Sequence, residues 1–377
     1  MYENPVAPDE LIDRDAEAGD LLDRALDGRN TRLTAPRRYG KTSLLLRLRE
    51  EAEQHDMQPV YVNFYGVVSV GDVCERIERA YREQLQGTLR NWLEGVLRTL
   101  QPSAKAALGV PAGPRAELGV TPQPAHASVL DRLALPKRMH EKHGRRVLVV
   151  FDEFQDLLRA DGNIDAVFRS EIEQHGIAVS YVFAGSHPGM MNELFADKKR
   201  AFYGQTSAVL LDVLSASDVA DYISERFART KRDPGEALGP LLDTAAGHPQ
   251  RTMLLAHHLW EHTPANQAAD TDTWQATLGT AGRDLADEFE ALWRGYSTTK
   301  QRLLASIADN VGAIYSRDNR QRHGLARTGS HQKSLDELAA AGDIERATAA
   351  TGYRMIDPMF ALWVRGGRKW PWQGSQP

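Results

Sequence analysis

The segment Ala35-Pro36-Arg37-Arg38-Tyr39-Gly40-Lys41-Thr42 decides the fold. It follows a short run, Thr31 to Thr34, read as a strand, and it opens a helical pattern from Lys41 to about Glu53. In the signature G-x-x-x-x-G-K-[S/T], backbone N–H groups and a helix N-terminus cradle phosphates. The lysine meets the outer phosphates, and the hydroxyl ligates Mg2+. Gly40, Lys41 and Thr42 satisfy the signature, while Ala35 replaces its first glycine at the cost of one methyl group. The stretch from Ala35, Pro36, Arg37, Arg38 and Tyr39 through Gly40, Lys41, Thr42 and Ser43 is therefore the candidate contact for ATP, with Thr42 a candidate Mg2+ ligand.

A second element gives the first its meaning. Val147 to Phe151 is an apolar strand ending in Asp152-Glu153, the Walker B arrangement. Asp152 at the strand's carboxyl end suits the Mg2+ shell, and Glu153 suits polarisation of an attacking water. A further strand, Ala178 to Ala184, runs into Gly185-Ser186-His187. Ser186 is a candidate to orient that water, or an N-cap for a helix with Pro188 in its first turn. The catalytic set read from the sequence is Lys41, Glu153 and Ser186.

Outward from these motifs, strands at 59–64, 146–151, 178–184 and 208–211 alternate with helical segments, which predicts a parallel α/β sheet. Residues 9–26 read as an amphipathic helix. Residues 86–144 interrupt the alternation and read as an insertion. Its 102–128 part is rich in Ala, Pro and Gly, with a small hairpin expected near Gly113-Pro114, and helical patterning returns at 129–143. From Ser215 the chain turns helical, and from Thr298 three helices precede two short β segments, the pattern of a winged helix-turn-helix. The domain expectation is an ATPase core over 1–214, a helical lid over 215–295 and a winged-helix unit with a basic, aromatic tail over 296–377.

The 377 residues carry 46 Lys and Arg against 51 Asp and Glu, a net charge of −5, so a basic surface must be local. One such excess exists. Between Tyr296 and Lys333 seven Lys or Arg face only Asp309 and Asp318. Arg322, Arg327 and Lys333 are the candidate contacts to double-stranded DNA. The competing reading makes this unit a packing module with no DNA. Likewise Arg365, Arg368 and Lys369 beside Trp370 and Trp372 clamp a backbone or cover the lid. A single cysteine, Cys74, excludes an intrachain disulfide and reads as a buried helix residue. No apolar run reaches the ~20 residues of a membrane span, and no basic-then-apolar start marks a secretory signal. The expected location is the cytoplasm, with no membrane partner.

The strings A-P-R-R-Y-G-K-T-S-L-L, V-L-V-V-F-D-E-F-Q, F-A-G-S, A-F-Y-G-Q and G-H-P-Q-R resemble the prokaryotic AAA+/STAND-type P-loop ATPases. More narrowly they resemble the archaeal-type ATPase group related to replication-initiator ATPases, over about Leu11 to Trp363. The resemblance implies a five-stranded core, a helical lid, a C-terminal winged helix, and hydrolysis of ATP with Mg2+. It implies that Arg14, in Leu11-Ile12-Asp13-Arg14, contacts the adenine. It also implies that His248 and Arg251, at the lid motif Gly247-His248-Pro249, sense the γ-phosphate. Apart from the resemblance, that tripeptide is a helix C-cap followed by a proline helix start. Family members often carry arginine where Gln205 stands, a candidate arginine finger worth roughly 10³ to 10⁵ in rate. Lys198, Lys199 and Arg200 are nearby substitutes or a solvated turn. The expectation is a slow, switch-like ATPase that self-associates or engages DNA or a protein partner. The alternative is an ATP-controlled scaffold in signalling or defence with no nucleic-acid role.

Overall fold

The computed structural model describes residues 11–100, 125–309, 314, 316–325, 331–346 and 352–372. The first half runs α1 (Asp15–Leu26), β1 (Thr31–Thr34), α2 (Lys41–Gln54), β2 (Met57–Asn63), α3 (Val70–Gln84), α4 (Gly87–Leu100), α5 (Ala125–Leu133), α6 (Leu135–His143), β3 (Arg146–Asp152), α7 (Leu157–Ala160), α8 (Ile164–Ile172), β4 (Val179–Gly185), α9 (Pro188–Ala196) and β5 (Ser207–Leu210). The second half runs α10 (Ala216–Arg229), α11 (Leu238–Ala245), α12 (Pro249–His262), α13 (Thr271–Gly295), α14 (Thr298–Asp309), α15 (Arg317–His323), α16 (Gln332–Ala341), β6 (Ile344–Arg346), β7 (Tyr353–Met355) and α17 (Pro358–Arg365).

The first five strands form one sheet in the order β2-β3-β4-β1-β5, with every pairing parallel. Along β3, Val147, Val149 and Phe151 enter one apolar core while Leu148 and Val150 enter the other. That period-two split is what a strand covered on both faces requires. On the first face an aromatic cluster joins Phe151, Phe154, Phe168, Phe183, Phe195 and Phe202, with Phe154 and Phe183 centroids 4.8 Å apart. On the other, α1 and α2 bury Leu21, Leu44, Leu45 and Leu48 against Leu33 and Val150. The order brings the carboxyl ends of β1, β3 and β4 side by side, where ligands bind in open α/β sheets.

The described parts of the segment read as an insertion are built into this body. Residues 87–100 are helical, and Leu93 and Leu97 join the same core as Val73 and Ile77 of α3. Val129 and Leu133 of α5 and Met139 of α6 close that core as well. The expected hairpin near Gly113-Pro114 lies outside the described residues. Helix α1 starts at Asp15, because Asp13 takes a left-handed φ of 43° and its carboxylate accepts from Ser215 N at 2.8 Å. Cys74 is buried on α3.

Helices α10 to α14, α16 and α17 share a third core that runs from Val219 to Trp370 across the expected boundary at 295/296. Helices α14, α15 and α16 precede the antiparallel β6–β7 ribbon, an element order consistent with a winged helix. Helix α17, which the sequence reading did not anticipate, is capped by Asp357 Oδ1 accepting from Met359 N and Phe360 N. Among the described residues no helix is long and apolar enough to cross a membrane.

Candidate nucleotide-binding site

The loop leaves β1 at Thr34 and is tied to β4 by Ala35 N donating to Gly185 O at 3.3 Å. Its left-handed positions are Arg38, φ 70°, and Gly40, φ 80°. Ala35 is not among them, which explains why the first glycine of the signature is dispensable here. Gly40 is the N-cap of α2, so the helix's free N–H groups open at Lys41, Thr42 and Ser43. Holding Arg38 left-handed costs about 1 kcal/mol, and its neighbours secure it. Arg38 Nη1 donates to Glu288 Oε1 of α13 at 2.5 Å, and Tyr39 packs edge-on against His248 at 5.1 Å.

The Walker pair converges on the lysine. Lys41 Nζ donates to Asp152 Oδ1 at 2.5 Å and to Glu153 Oε1 at 2.7 Å. Asp152 also accepts from Tyr61 OH at 2.6 Å, on the adjoining strand β2. Glu153 Oε2 accepts from Ser186 Oγ and from Gln155 Nε2, each at 2.6 Å. Burial works to raise the Glu153 carboxyl, but the Lys41 charge and the Lys41, Ser186 and Gln155 hydrogen bonds outweigh it and hold it at about 2. Burial, followed by the neighbouring Asp152, pushes the Tyr61 phenol upward. Thus Lys41, Asp152, Glu153 and Ser186, drawn from three strand ends, meet in one cluster. The N-cap of α9 is His187, so the Ser186 hydroxyl is spent on Glu153 instead of the helix.

The segment expected to form a lid reaches the same mouth. Gly247 takes φ 70°, and a Cβ there would lie 2.6 Å from Leu214 O, so only glycine fits. His248 caps α12, its Nδ1 accepting from Arg251 N at 3.3 Å, and burial lowers its imidazole to about 4. Arg251 is engaged by two acids, one of which, Glu288, it shares with Arg38 of the loop. It is 1% exposed and donates to Asp357 Oδ2 at 2.5 Å from Nη2 and 3.0 Å from Nε, with its guanidinium 5.3 Å from the Phe289 ring. Arg14 is buried, donating to Asp212 O at 2.6 Å and Glu17 Oε1 at 2.8 Å. It thereby joins the opening segment to the stretch after β5.

The C-terminal unit also touches this mouth. A Cβ on Gly189, in the first turn of α9, would lie 2.5 Å from Ala340 Cβ of α16. Arg37 Nη2 is 3.2 Å from His187 Nε2, and Ile356, just past β7, packs in the core that holds Tyr39. Away from the mouth, Arg322 and Lys333 are 71% and 88% exposed, and Arg327 lies outside the described residues. Arg200 is engaged by Glu193, Asp165 and Gly162 O, whereas Lys198, Lys199 and Gln205 are exposed. Trp370 and Trp372 stack at 5.0 Å, and Trp370 is buried against Gly282 and Phe289 of α13.

Two residues of the cluster, Tyr61 and Gln155, escaped the sequence reading. Gln155 stood in the D-E-F-Q string. Tyr61 had no local signal, because only strand pairing puts it beside Asp152.

The donor set fits a magnesium nucleotide. Thr42 hydroxyl and Asp152 carboxylate are the hard oxygen ligands Mg2+ prefers, and the α2 N-terminus with Lys41 supplies the positive end. No protein-family model matches the chain, and no curated protein matches it. Solved structures do. The Walker-type ATPase PABY2304 of Pyrococcus abyssi superposes with a TM-score of 0.69 at 17% identity, covering 97% of this chain and 100% of that one. The Aeropyrum pernix ORC2 protein in its ADPNP–ADP complexes gives 0.58 at 16% identity over 99% and 97% of the two chains. Its ADP form gives 0.52 at 15% over 97% and 96%. With the parallel five-stranded sheet and its loop geometry, these likenesses establish the P-loop AAA+ ATPase fold for this chain.

Proposed function

We propose that this chain is a Mg2+-dependent ATPase of the archaeal-type AAA+/STAND kind that turns over slowly and acts as a switch. The convergence of Lys41, Asp152, Glu153 and Ser186 at adjoining strand ends carries the reading. Bound Mg2+, held by Thr42 and Asp152, would neutralise charge on the phosphates. The chain's own residues supply the rest. Lys41, released from its two acids, meets the outer phosphates. Glu153, ionised under all ordinary conditions, accepts a proton or hydrogen bond from water, and Ser186 fixes the Glu153 oxygen it touches. Gln205 at the usual arginine position, with Arg200 engaged by Glu193 and Asp165, favours slow hydrolysis.

The output end is the C-terminal unit, read as a winged helix. Its helix α16 rests on α9, three residues from Ser186, so nucleotide state and the unit's position are mechanically joined. Exposed Arg322 and Lys333 favour duplex DNA as the partner. The docked C-terminal end of α16 favours the second reading, a protein scaffold in signalling or defence without nucleic acid. Titration calorimetry with ATP and a phosphate-release assay test the core of the proposal. Lys41→Ala should abolish binding, and Glu153→Gln should bind and turn over only at a small, still measurable residual rate. An unaltered chain that neither binds nor hydrolyses ATP ends the proposal.

A further inference from the structure

Gln155 lies two residues beyond the candidate catalytic acid and is 1% exposed. The chain leaves β3 at Asp152 and takes Glu153 in the left-handed region, φ 51° and ψ 41°. A single 3-10 turn over Phe154–Asp156 then closes, with Asp156 N donating to Glu153 O at 2.9 Å. That reversal folds the Gln155 side chain back alongside Glu153, where Nε2 donates to Oε2 at 2.6 Å.

The same Oε2 accepts from Ser186 Oγ at 2.6 Å, while Oε1 faces Lys41. The two neutral donors therefore fix one oxygen, and the other is left to the charged lysine. Gln155 makes this contact at a cost to itself, because its carbonyl Oε1 is buried with no partner. An unpaired buried carbonyl is unfavourable, and flipping the amide would set that oxygen against the Glu153 carboxylate. Packing alone does not call for an amide, since a methionine has a similar length and flexibility and leaves no amide carbonyl to satisfy. Gly185 completes the arrangement. A Cβ on it would lie 2.4 Å from Gln155 Oε1 and 2.4 Å from Met191 Sδ, so the strand end stays bare where the amide passes.

We infer that Gln155 is the positioning residue of Glu153. With Ser186 it clamps Oε2, so that Oε1 is the oxygen presented to the attacking water once Lys41 has left it. This inference rests on the ATPase reading and deepens it. It assigns the glutamine of the D-E-F-Q string to the orientation of the acid, and Gly185 to the space the glutamine needs.

The test is a cycle on the full chain comparing the unaltered protein with Gln155→Met, Glu153→Gln and the double variant, with Gly185→Ala alongside. Steady-state and single-turnover hydrolysis are measured beside ADP affinity. Gln155→Met, which keeps shape and loses the donor, should lower kcat by about tenfold to a hundredfold with ADP affinity within about threefold. In the Glu153→Gln background the same change should cost nothing further, because no carboxylate remains to be aimed. Gly185→Ala should reproduce the loss of kcat. The inference is overturned if Gln155→Met matches the unaltered chain, if its loss is mirrored in ADP affinity, or if it costs as much again in the Glu153→Gln background. Lack of turnover by an unaltered chain that binds ADP removes the hydrolase reading and this inference together. Turnover by that chain, equalled by Gln155→Met, removes this inference alone.

Discussion

Arg38 in the phosphate loop donates to Glu288 on α13 at 2.5 Å, a contact spanning 250 residues of sequence. The pair is about two-fifths exposed on each side, so it adds no more than about 1 kcal/mol to stability. Its interest is positional. Glu288 Oε1 also lies 3.5 Å from Arg251 Nη2, which binds Asp357 at the start of α17. One carboxylate therefore links the loop to α12 and, through Arg251, to the start of α17. Arg38→Ala and Glu288→Ala are expected to change the ADP dissociation rate several-fold in the same direction, with Tm nearly unmoved. The double variant should equal either single one. Stopped-flow release of a fluorescent ADP checks this, and additive effects would refute the link.

Gly189 should tolerate no side chain. A Cβ there meets Ala340 Cβ at 2.5 Å and Ala340 Cα at 2.7 Å. Gly189→Val is expected to lift α16 from α9 and destabilise the chain by about 1–3 kcal/mol. Limited proteolysis should cut the C-terminal unit faster, and Ala340→Gly should restore part of the protection. Unchanged digestion would show that the two helices do not hold each other.

His248 predicts a pH dependence with a definite sign. Burial lowers its pKa from 6.5 to about 4. Between those values the unfolded chain carries a proton on this ring that the folded chain lacks, so acidification favours unfolding. The contribution, about 3 kcal/mol at most, is fully present above pH 6.5 and is lost as pH falls towards 4. Urea unfolding at pH 7.5, 6 and 5 should show His248→Asn, which keeps a capping side chain, losing less stability than the unaltered protein. Parallel curves would count against this assignment.

DNA binding, where it exists, should be electrostatic. Arg322→Ala with Lys333→Ala is expected to weaken duplex binding severalfold and lower the slope of log K against log salt by about 2. Fluorescence anisotropy over a salt series measures both. Absence of binding at low salt would leave the protein-scaffold reading.

Much of the ATPase body was legible because its signals are local. Strand, loop and helix at 31–54 follow from one motif, and continuous apolar runs placed β2, β3 and β4 within a residue or two. Residues 87–100 also carried a readable signal, since Leu89, Leu93, Val96, Leu97 and Leu100 recur at helical spacing. Gly87 and Gly95, with the Ala/Pro/Gly-rich stretch that follows, obscured it. Helix α17 was hidden because its cap, Asp357, and its apolar face, Met359, Phe360 and Trp363, read equally well as a strand ending. The fate of Arg251 was not local at all. Sequence placed it beside the lid motif, and only the tertiary fold supplies Asp357, 106 residues away, to hold its guanidinium. Tyr61 belongs to the same class, since its meaning lies in the register that sets β2 beside β3.

The core shared by α10 to α14, α16 and α17 has an optical consequence. Of seven tryptophans, only Trp92 lies with the sheet, and the other six, from Trp260 to Trp372, lie in or against that second body. Indole emission from the unlabelled protein is thus a nearly selective signal from that helical body. The phosphate loop beside them contributes no indole of its own. Any rearrangement that ligand imposes across the Arg38, Tyr39 and Gly189 contacts would register as a spectral shift arising on the far side of the joint.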